Sequence, residues 1–282
     1  MKQSISIWSF CGPWDLEEKF KLAVEAGFRA IEIDLTEEGP VGMETSDEEL
    51  RQVRSLADRY GLTLSGLASA LYWGANGASA DEGTRARAAA IVDRQIHCAS
   101  ILGIDAILII PGTVGADFIP DCEVVPYDEV WERSSQLVRK AIPAAEKAGV
   151  TLCIENVWNK FLLSPLEMVR FVEQFNSPFV GVYFDVGNSL ATGYPEHWIQ
   201  VLGDHIKRIH FKDYRRAVGT ADGFCDLLSG DVNWPEVMKA LRAVGFDGWI
   251  APEMIPPVPF YKYAPEVLLH NTKRAFDAIL DL

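Results

Sequence analysis

The sequence has little positive charge. Across 282 residues, 26 lysines and arginines face 40 aspartates and glutamates, a formal net charge of -14. Such a surface field repels polyanions, which argues against nucleic acid or an anionic membrane as partner and favours a small molecule. Cysteine is also scarce. Cys11, Cys98, Cys122, Cys153 and Cys225 are odd in number and include no Cys-x-x-Cys pair. Neither a disulfide framework nor a thiolate zinc site is indicated, and these residues are expected to be the reduced thiols of a cytoplasmic protein. No stretch approaches the ~18 continuous apolar residues of a membrane span, and the N-terminal residues run into a strand pattern without an apolar signal core. Membrane insertion and secretion are therefore not expected. Low-complexity tracts and linkers are missing too, so residues 1–282 are read as one domain.

What is present is alternation. Short β-rich runs are followed by amphipathic helical stretches from end to end, the pattern of parallel strands joined by crossover helices. The expected strands are residues 4–10, 30–35, 63–69, 106–111, 151–155, 180–185, 208–211 and 249–253. Four helix-to-strand joints share a form, with Gly27, Gly61, Gly149 and Gly245 placed to supply left-handed helix caps. Eight such units in a chain of this length predict an α/β fold, a (β/α)8 TIM barrel: a parallel eight-stranded barrel with outer helices. The longest irregular stretch, residues 217–233, follows the seventh expected strand.

In this architecture the C-terminal strand ends build the site, so a polar residue closing an apolar strand is informative. Four consecutive strands end this way: Thr-Leu-Cys-Ile-Glu on Glu155, Gly-Val-Tyr-Phe-Asp on Asp185, Arg-Ile-His on His210, and Trp-Ile-Ala-Pro-Glu on Glu253. Side chains alternate along a strand, and one choice of parity turns all four inward. Three carboxylates at one rim would repel one another unless a cation sat among them. Three oxygen donors with one imidazole suit one divalent ion, Mn2+ as first choice, with Mg2+, Co2+ or Zn2+ as alternatives. A strand-end carboxylate can also be no more than a helix N-cap, but four successive units repeating the feature weigh against that reading.

The segments Cys153-Ile154-Glu155-Asn156, Phe184-Asp185-Val186-Gly187-Asn188, Ile209-His210-Phe211-Lys212-Asp213 and Pro252-Glu253-Met254, together with Ser229-Gly230-Asp231-Val232-Asn233-Trp234, resemble the xylose-isomerase-like barrels of the sugar-phosphate isomerase/epimerase group. The resemblance covers nearly the whole chain. It implies that Glu155, Asp185, His210 and Glu253 bind the metal, and that Glu155 and Glu253 also exchange the proton on the reacting carbon. Proton removal beside a carbonyl gives an enediolate, and inversion needs proton transfer on both faces, so the chemistry calls for such a pair.

The implied activity is a metal-dependent ketose or ketose-phosphate epimerase or isomerase. Where free-ketose 3-epimerases of the group carry a second Glu, this chain has Phe161; where they carry His, it has Asn188. The Asp-Val-Gly-Asn form resembles the pentulose- and hexulose-phosphate branch. Arg215 and Arg216 are expected to meet a phosphate, Lys212 a substrate oxygen, and Asn188, Trp14, Trp158 and Glu32 to line the substrate site or orient a catalytic neighbour. Two alternatives share the resemblance: inosose- or dehydroshikimate-type dehydratases, and apurinic-site endonucleases. The net charge and a single strand-end histidine oppose the second. A homodimer is the assumed assembly.

Overall fold

Strands and helices alternate along the chain in a computed structural model that describes residues 1–10, 13–255 and 261–282. Cys11, one of the expected thiols, lies outside the described residues. The strands are β1 (Lys2–Gln3), β2 (Ala30–Asp34), β3 (Thr63–Ala68), β4 (Ala106–Ile109), β5 (Thr151–Glu155), β6 (Val180–Asp185), β7 (Ile206–Phe211), β8 (Asp213–Tyr214), β9 (Phe224–Cys225) and β10 (Trp249–Pro252). Eight of them form one sheet in the order β1-β10-β7-β6-β5-β4-β3-β2, while β8 and β9 pair separately and antiparallel. Past the end of β1, Ser6 bridges Glu32 of β2 in parallel, which joins the two ends of that order and nearly closes a (β/α)8 barrel.

The helices are α1 (Leu16–Glu25), α2 (Asp47–Arg59), α3 (Glu82–Leu102), α4 (Tyr127–Ala148), α5 (Pro165–Glu173), α6 (Pro195–Leu202), α7 (Trp234–Ala243) and α8 (Pro265–Leu280). Their starts follow local chemistry. Asp15 with Glu18 and Ser164 with Glu167 form reciprocal capping boxes on α1 and α5, satisfying amide groups that have no partner within the helix. Their ends do too: the joint glycines 27, 61, 149 and 245 all have positive φ, the backbone region that a Cβ disfavours.

Two expectations change. The first strand, Lys2–Gln3, lies ahead of the expected residues 4–10, where Ser6 accepts a hydrogen bond from the Trp8 amide at its Oγ and residues 7–9 form a single 3-10 turn. The stretch 217–233 is not wholly irregular, since β9 within it pairs with β8.

The chain divides into two compact units. One comprises residues 1–33, 55–65 and 184–282, and its core includes Phe28, Phe211 and Phe276, with Phe211 5.7 Å from Phe276 and 4.8 Å from Trp234 between ring centroids. The other comprises residues 34–54 and 66–183. There Phe161 stands 5.4 Å from Tyr127 and 5.5 Å from Phe171, in edge and tilted contacts that favour aromatic pairs. Buried Gln95 ties β3 to β4 by donating to Leu67 O at 2.6 Å and Leu108 O at 2.9 Å.

Candidate metal centre

The strand ends carry the chemistry. On β7, His210 lies opposite Ala251 of β10, and the Glu253 amide continues that ladder by donating to Phe211 O at 3.0 Å. Successive residues of β10 therefore bring Glu253 level with the end of β7. Its neighbours are fixed from the first segment of the chain: Ser6 N donates to Pro252 O at 3.0 Å, and Ser9 Oγ both donates to Pro252 O at 3.3 Å and accepts from Met254 N at 3.1 Å. Asp185 closes β6, and its Oδ1 accepts the Asn188 amide at 2.7 Å.

His210 is fully buried between carboxylates. Its Nε2 is 2.8 Å from Glu32 Oε1, and its Nδ1 is 2.7 Å from Glu253 Oε2 and 3.9 Å from Asp185 Oδ2. Lys212 reaches the same two carboxylates, with Nζ 3.0 Å from Glu253 Oε1 and 3.2 Å from Asp185 Oδ2. Glu155, Asp185, His210 and Glu253 each offer one ligand atom, all four within 4.8 Å of one another and all four residues buried.

This donor set fits a divalent cation. Glu253 Oε2 is buried and, for all its closeness to the His210 ring, has no hydrogen bond of acceptable geometry among the described residues. A buried carboxylate oxygen left in that condition is costly, and a cation bound by the four groups removes the cost. Three carboxylates and one imidazole match Mn2+, Mg2+, Co2+ or Zn2+ without selecting among them.

Charge is unevenly shared. Burial pushes the Asp185 carboxyl above the usual carboxylate range, and the Lys212 ammonium only partly offsets it. For Glu253 burial acts in the same direction, but Lys212 and His210 together prevail and hold its pKa at about 2. The distances explain the difference, since Lys212 Nζ and His210 Nδ1 both stand nearer to Glu253 than to Asp185.

The remaining expected residues are distributed as follows. Glu32 lies at the His210 ring rather than in the open. Asn188 is buried beside Asp185 through its backbone. Arg215 is exposed and its Nε donates to Ser229 O at 3.1 Å. Arg216 donates to Gly193 O at 2.9 Å and covers the Tyr194 ring at 4.5 Å. Both arginines thus brace loops. Trp14 is half-buried just before the α1 cap, and Trp158 is half-buried three residues past Glu155.

Three supporting residues were not picked out from the sequence. Ser9 clamps the backbone on both sides of Glu253. Asp213 accepts from Tyr214 N at 2.9 Å, Val232 N at 3.2 Å and Trp234 Nε1 at 3.2 Å, which ties the loop after β9 to the end of β7. Gly187 packs onto Lys212 closely enough to exclude any side chain. The signals for the last two were in plain view, as the unassigned members of His-x-Lys-Asp and Asp-Val-Gly-Asn; Ser9 had none.

The solved structures that resemble this chain include D-psicose 3-epimerase with D-tagatose from Clostridium cellulolyticum H10, at a TM-score of 0.79 and 19% identity, covering 99% of each chain. The IOLI protein with a bound zinc atom superimposes at a TM-score of 0.81 with 17% identity, covering 100% of this chain and 98% of the other. These similarities establish the fold. Among curated sequences, the putative L-ribulose-5-phosphate 3-epimerase SgbU of Escherichia coli K12 is 27% identical over 251 residues, covering 84% of this chain and 82% of the relative. Residues 20–270 match the model of one family, and the chain belongs to it: the xylose isomerase-like TIM barrels.

Proposed function

We propose that the chain is a divalent-metal-dependent isomerase, epimerising a ketose or ketose phosphate at the carbon beside its carbonyl. The observation that carries this reading is that Glu155 and Glu253, two buried carboxylates, belong to one cluster with Asp185 and His210. An ion held by those four residues would supply positive charge to the oxygens of an enediolate. Among the relatives, the names L-ribulose-5-phosphate 3-epimerase, D-psicose 3-epimerase and L-ribulose 3-epimerase support this chemistry, while mannonate dehydratase and inosose dehydratase name the elimination that is its alternative.

In this reading one glutamate takes the proton from the reacting carbon, leaving its electron pair delocalised into the carbonyl as an enediolate. The other glutamate returns a proton to the opposite face, so the configuration inverts and no atom is lost. Glu253, held ionised by Lys212 and His210, is in the form that accepts a proton at neutral pH. Lys212 keeps Asp185 and Glu253 from repelling one another and stands where an ammonium can also meet a substrate oxygen. Arg215 and Arg216 each donate once to a loop carbonyl, and the reading holds for a ketose with or without a phosphate.

The test is solvent exchange. Protein loaded with Mn2+ and incubated in D2O with a panel of ketoses and ketose phosphates is expected to place deuterium on one carbon and to produce the epimer. A conjugated enone with loss of water would assign a dehydratase instead. Absence of exchange across the panel by protein shown to hold metal would reject the isomerase reading.

A further inference from the structure

Glu155 stands where the register between two strands runs out. It lies opposite Tyr183 of β6, but the pairing of β5 with β4 ends at Ile154 opposite Ile109, one residue before it. Four residues further on, a buried side chain rejoins the two segments. Asn159, 2% exposed, donates from Nδ2 to Gly112 O at 2.8 Å, while its backbone oxygen accepts from Val114 N at 3.0 Å and Gly115 N at 3.3 Å.

The segment that receives these bonds is itself fixed. Asn76 accepts from the Thr113 amide and donates to the Thr113 carbonyl, both at 2.9 Å, and a Cβ at Gly112 would lie 2.1 Å from Ser134 Oγ. The segment that follows Glu155 is held against its own preference. Lys160 and Leu162 have φ of 58° and 55°, a left-handed region that a Cβ disfavours and that persists only where the surroundings impose it. Here Asn159 Oδ1 accepts from Phe161 N at 3.1 Å, Lys160 Nζ donates to Asp117 Oδ1 at 2.5 Å, and Leu162 N donates to Tyr127 Oη at 3.1 Å. A carbonyl only accepts and an amide N–H only donates, so the Asn159 side chain serves Gly112 and Phe161 in one orientation alone, and a carboxylate could not serve both.

We infer that Asn159 is a positioning residue for Glu155: it takes over where the β4–β5 register ends and seats the strained loop, so that the Glu155 carboxylate is held in the cluster. The inference rests on the proton-transfer reading of Glu155, but its first test needs neither metal nor substrate. Hydrogen exchange of the metal-free protein, followed by mass spectrometry, reads the amides of residues 112–115 and 155–158.

Asn159→Asp keeps the size of the side chain and the acceptor for Phe161 N, but sets a carboxylate oxygen against Gly112 O. Exchange in both segments is expected to quicken by about 10- to 100-fold beyond any change in the rest of the chain. Phe175→Leu, in the aromatic core 5.4 Å from Phe171 between ring centroids, is the control: it should lower the urea midpoint without singling out those segments. With Mn2+ and a ketose that the wild type epimerises, Asn159→Asp should lower kcat for solvent deuterium exchange by about 10- to 100-fold with KM within about threefold, the signature of a displaced reacting group. Asn159→Ser, which drops the donor to Gly112 O, should give the same pattern if the first variant fails to fold. A lower urea midpoint with wild-type exchange at residues 155–158, or with wild-type kcat, overturns the inference. Wild-type protein inert across the ketose panel would reject the isomerase reading, while the hydrogen exchange would still decide whether Asn159 holds Glu155.

Discussion

Gly187 has no room for a side chain because Lys212 fills it: a Cβ at Gly187 would lie 2.5 Å from Lys212 Cβ and 3.0 Å from its carbonyl carbon and oxygen. The backbone at Gly187 is ordinary right-handed helical, so it is space, not torsion, that demands glycine there. Two short motifs on successive strands are thereby locked face to face, with the lysine ammonium against Asp185 and Glu253 as the result.

Gly187→Ala is therefore expected to displace Lys212. The overpacking should cost about 1–3 kcal/mol of stability, seen as a lower urea midpoint, together with weaker Mn2+ binding. A variant with the wild-type midpoint and wild-type affinity would show that the contact relaxes freely.

Glu155→Gln and Glu253→Gln remove the proposed proton carriers with minimal change of shape. Each is expected to slow solvent deuterium exchange into substrate by about 10²- to 10⁴-fold while circular dichroism stays that of the wild type. Metal content must be measured alongside, and a metal-loaded variant that exchanges at the wild-type rate would remove that residue from catalysis.

Metal affinity should rise with pH. Burial raises the Asp185 pKa, so the metal-free protein holds a proton there above the usual carboxylate range, and an incoming cation has to displace it. Because this folded-state pKa exceeds the unfolded one, the metal-free fold loses stability as pH rises through that interval, and bound metal reverses the trend. Glu253, at about 2, is already ionised and releases nothing near neutrality. Calorimetry in buffers of different ionisation enthalpy should detect proton release at mildly acidic pH that fades at higher pH; affinity that is flat from about pH 4 upward would contradict this.

Phe161, which the resemblance to free-ketose 3-epimerases sets against a glutamate, is buried against Tyr127, Trp131 and Phe171. Phe161→Glu should therefore place an unpaired carboxylate in an aromatic core and cost at least about 3 kcal/mol, rather than alter substrate choice. Urea denaturation checks the first part. A stable variant with new activity on free ketoses would place the side chain in the site after all.

Burial raises the thiol pKa of both Cys98 and Cys225 to about 11. At pH 8 the thiolate fraction of each is then on the order of 10⁻³, so native protein should be alkylated at both positions far more slowly than protein unfolded in urea. Peptide mapping after iodoacetamide treatment measures the ratio, and equal rates would mean that these thiols are open to solvent.

The barrel was readable from the sequence because its signals are local: apolar runs of strand length, amphipathic helices, and a glycine at each of four joints where the backbone indeed turns left-handed. The four clustered residues were readable because each is the last polar residue of an apolar strand, and parity along a strand needs no tertiary information. Less legible were the partners of side chains in loops. Arg215 and Arg216 look like free cations in the sequence, but a guanidinium can satisfy itself on loop carbonyls such as Ser229 O and Gly193 O, and nothing local announces that. Glu32 was expected to line the substrate site or orient a catalytic neighbour, but which neighbour was not legible, because His210 lies 178 residues away. The Ser9 clamp was invisible for the same reason, depending on two segments that meet only when the sheet closes.

That clamp has a bearing on how the molecule comes into being. Glu253 follows β10, and the atoms that hold the peptide on either side of it belong to Ser6 and Ser9, with Ser9 lying 243 residues from Pro252 and 245 from Met254. A nascent chain that has not yet released β10 can assemble at most three of the four donors and has nothing for Ser9 to grip. The cluster is therefore completed by a pairing of distant segments, the kind of contact whose loop-closure entropy must be met before it forms.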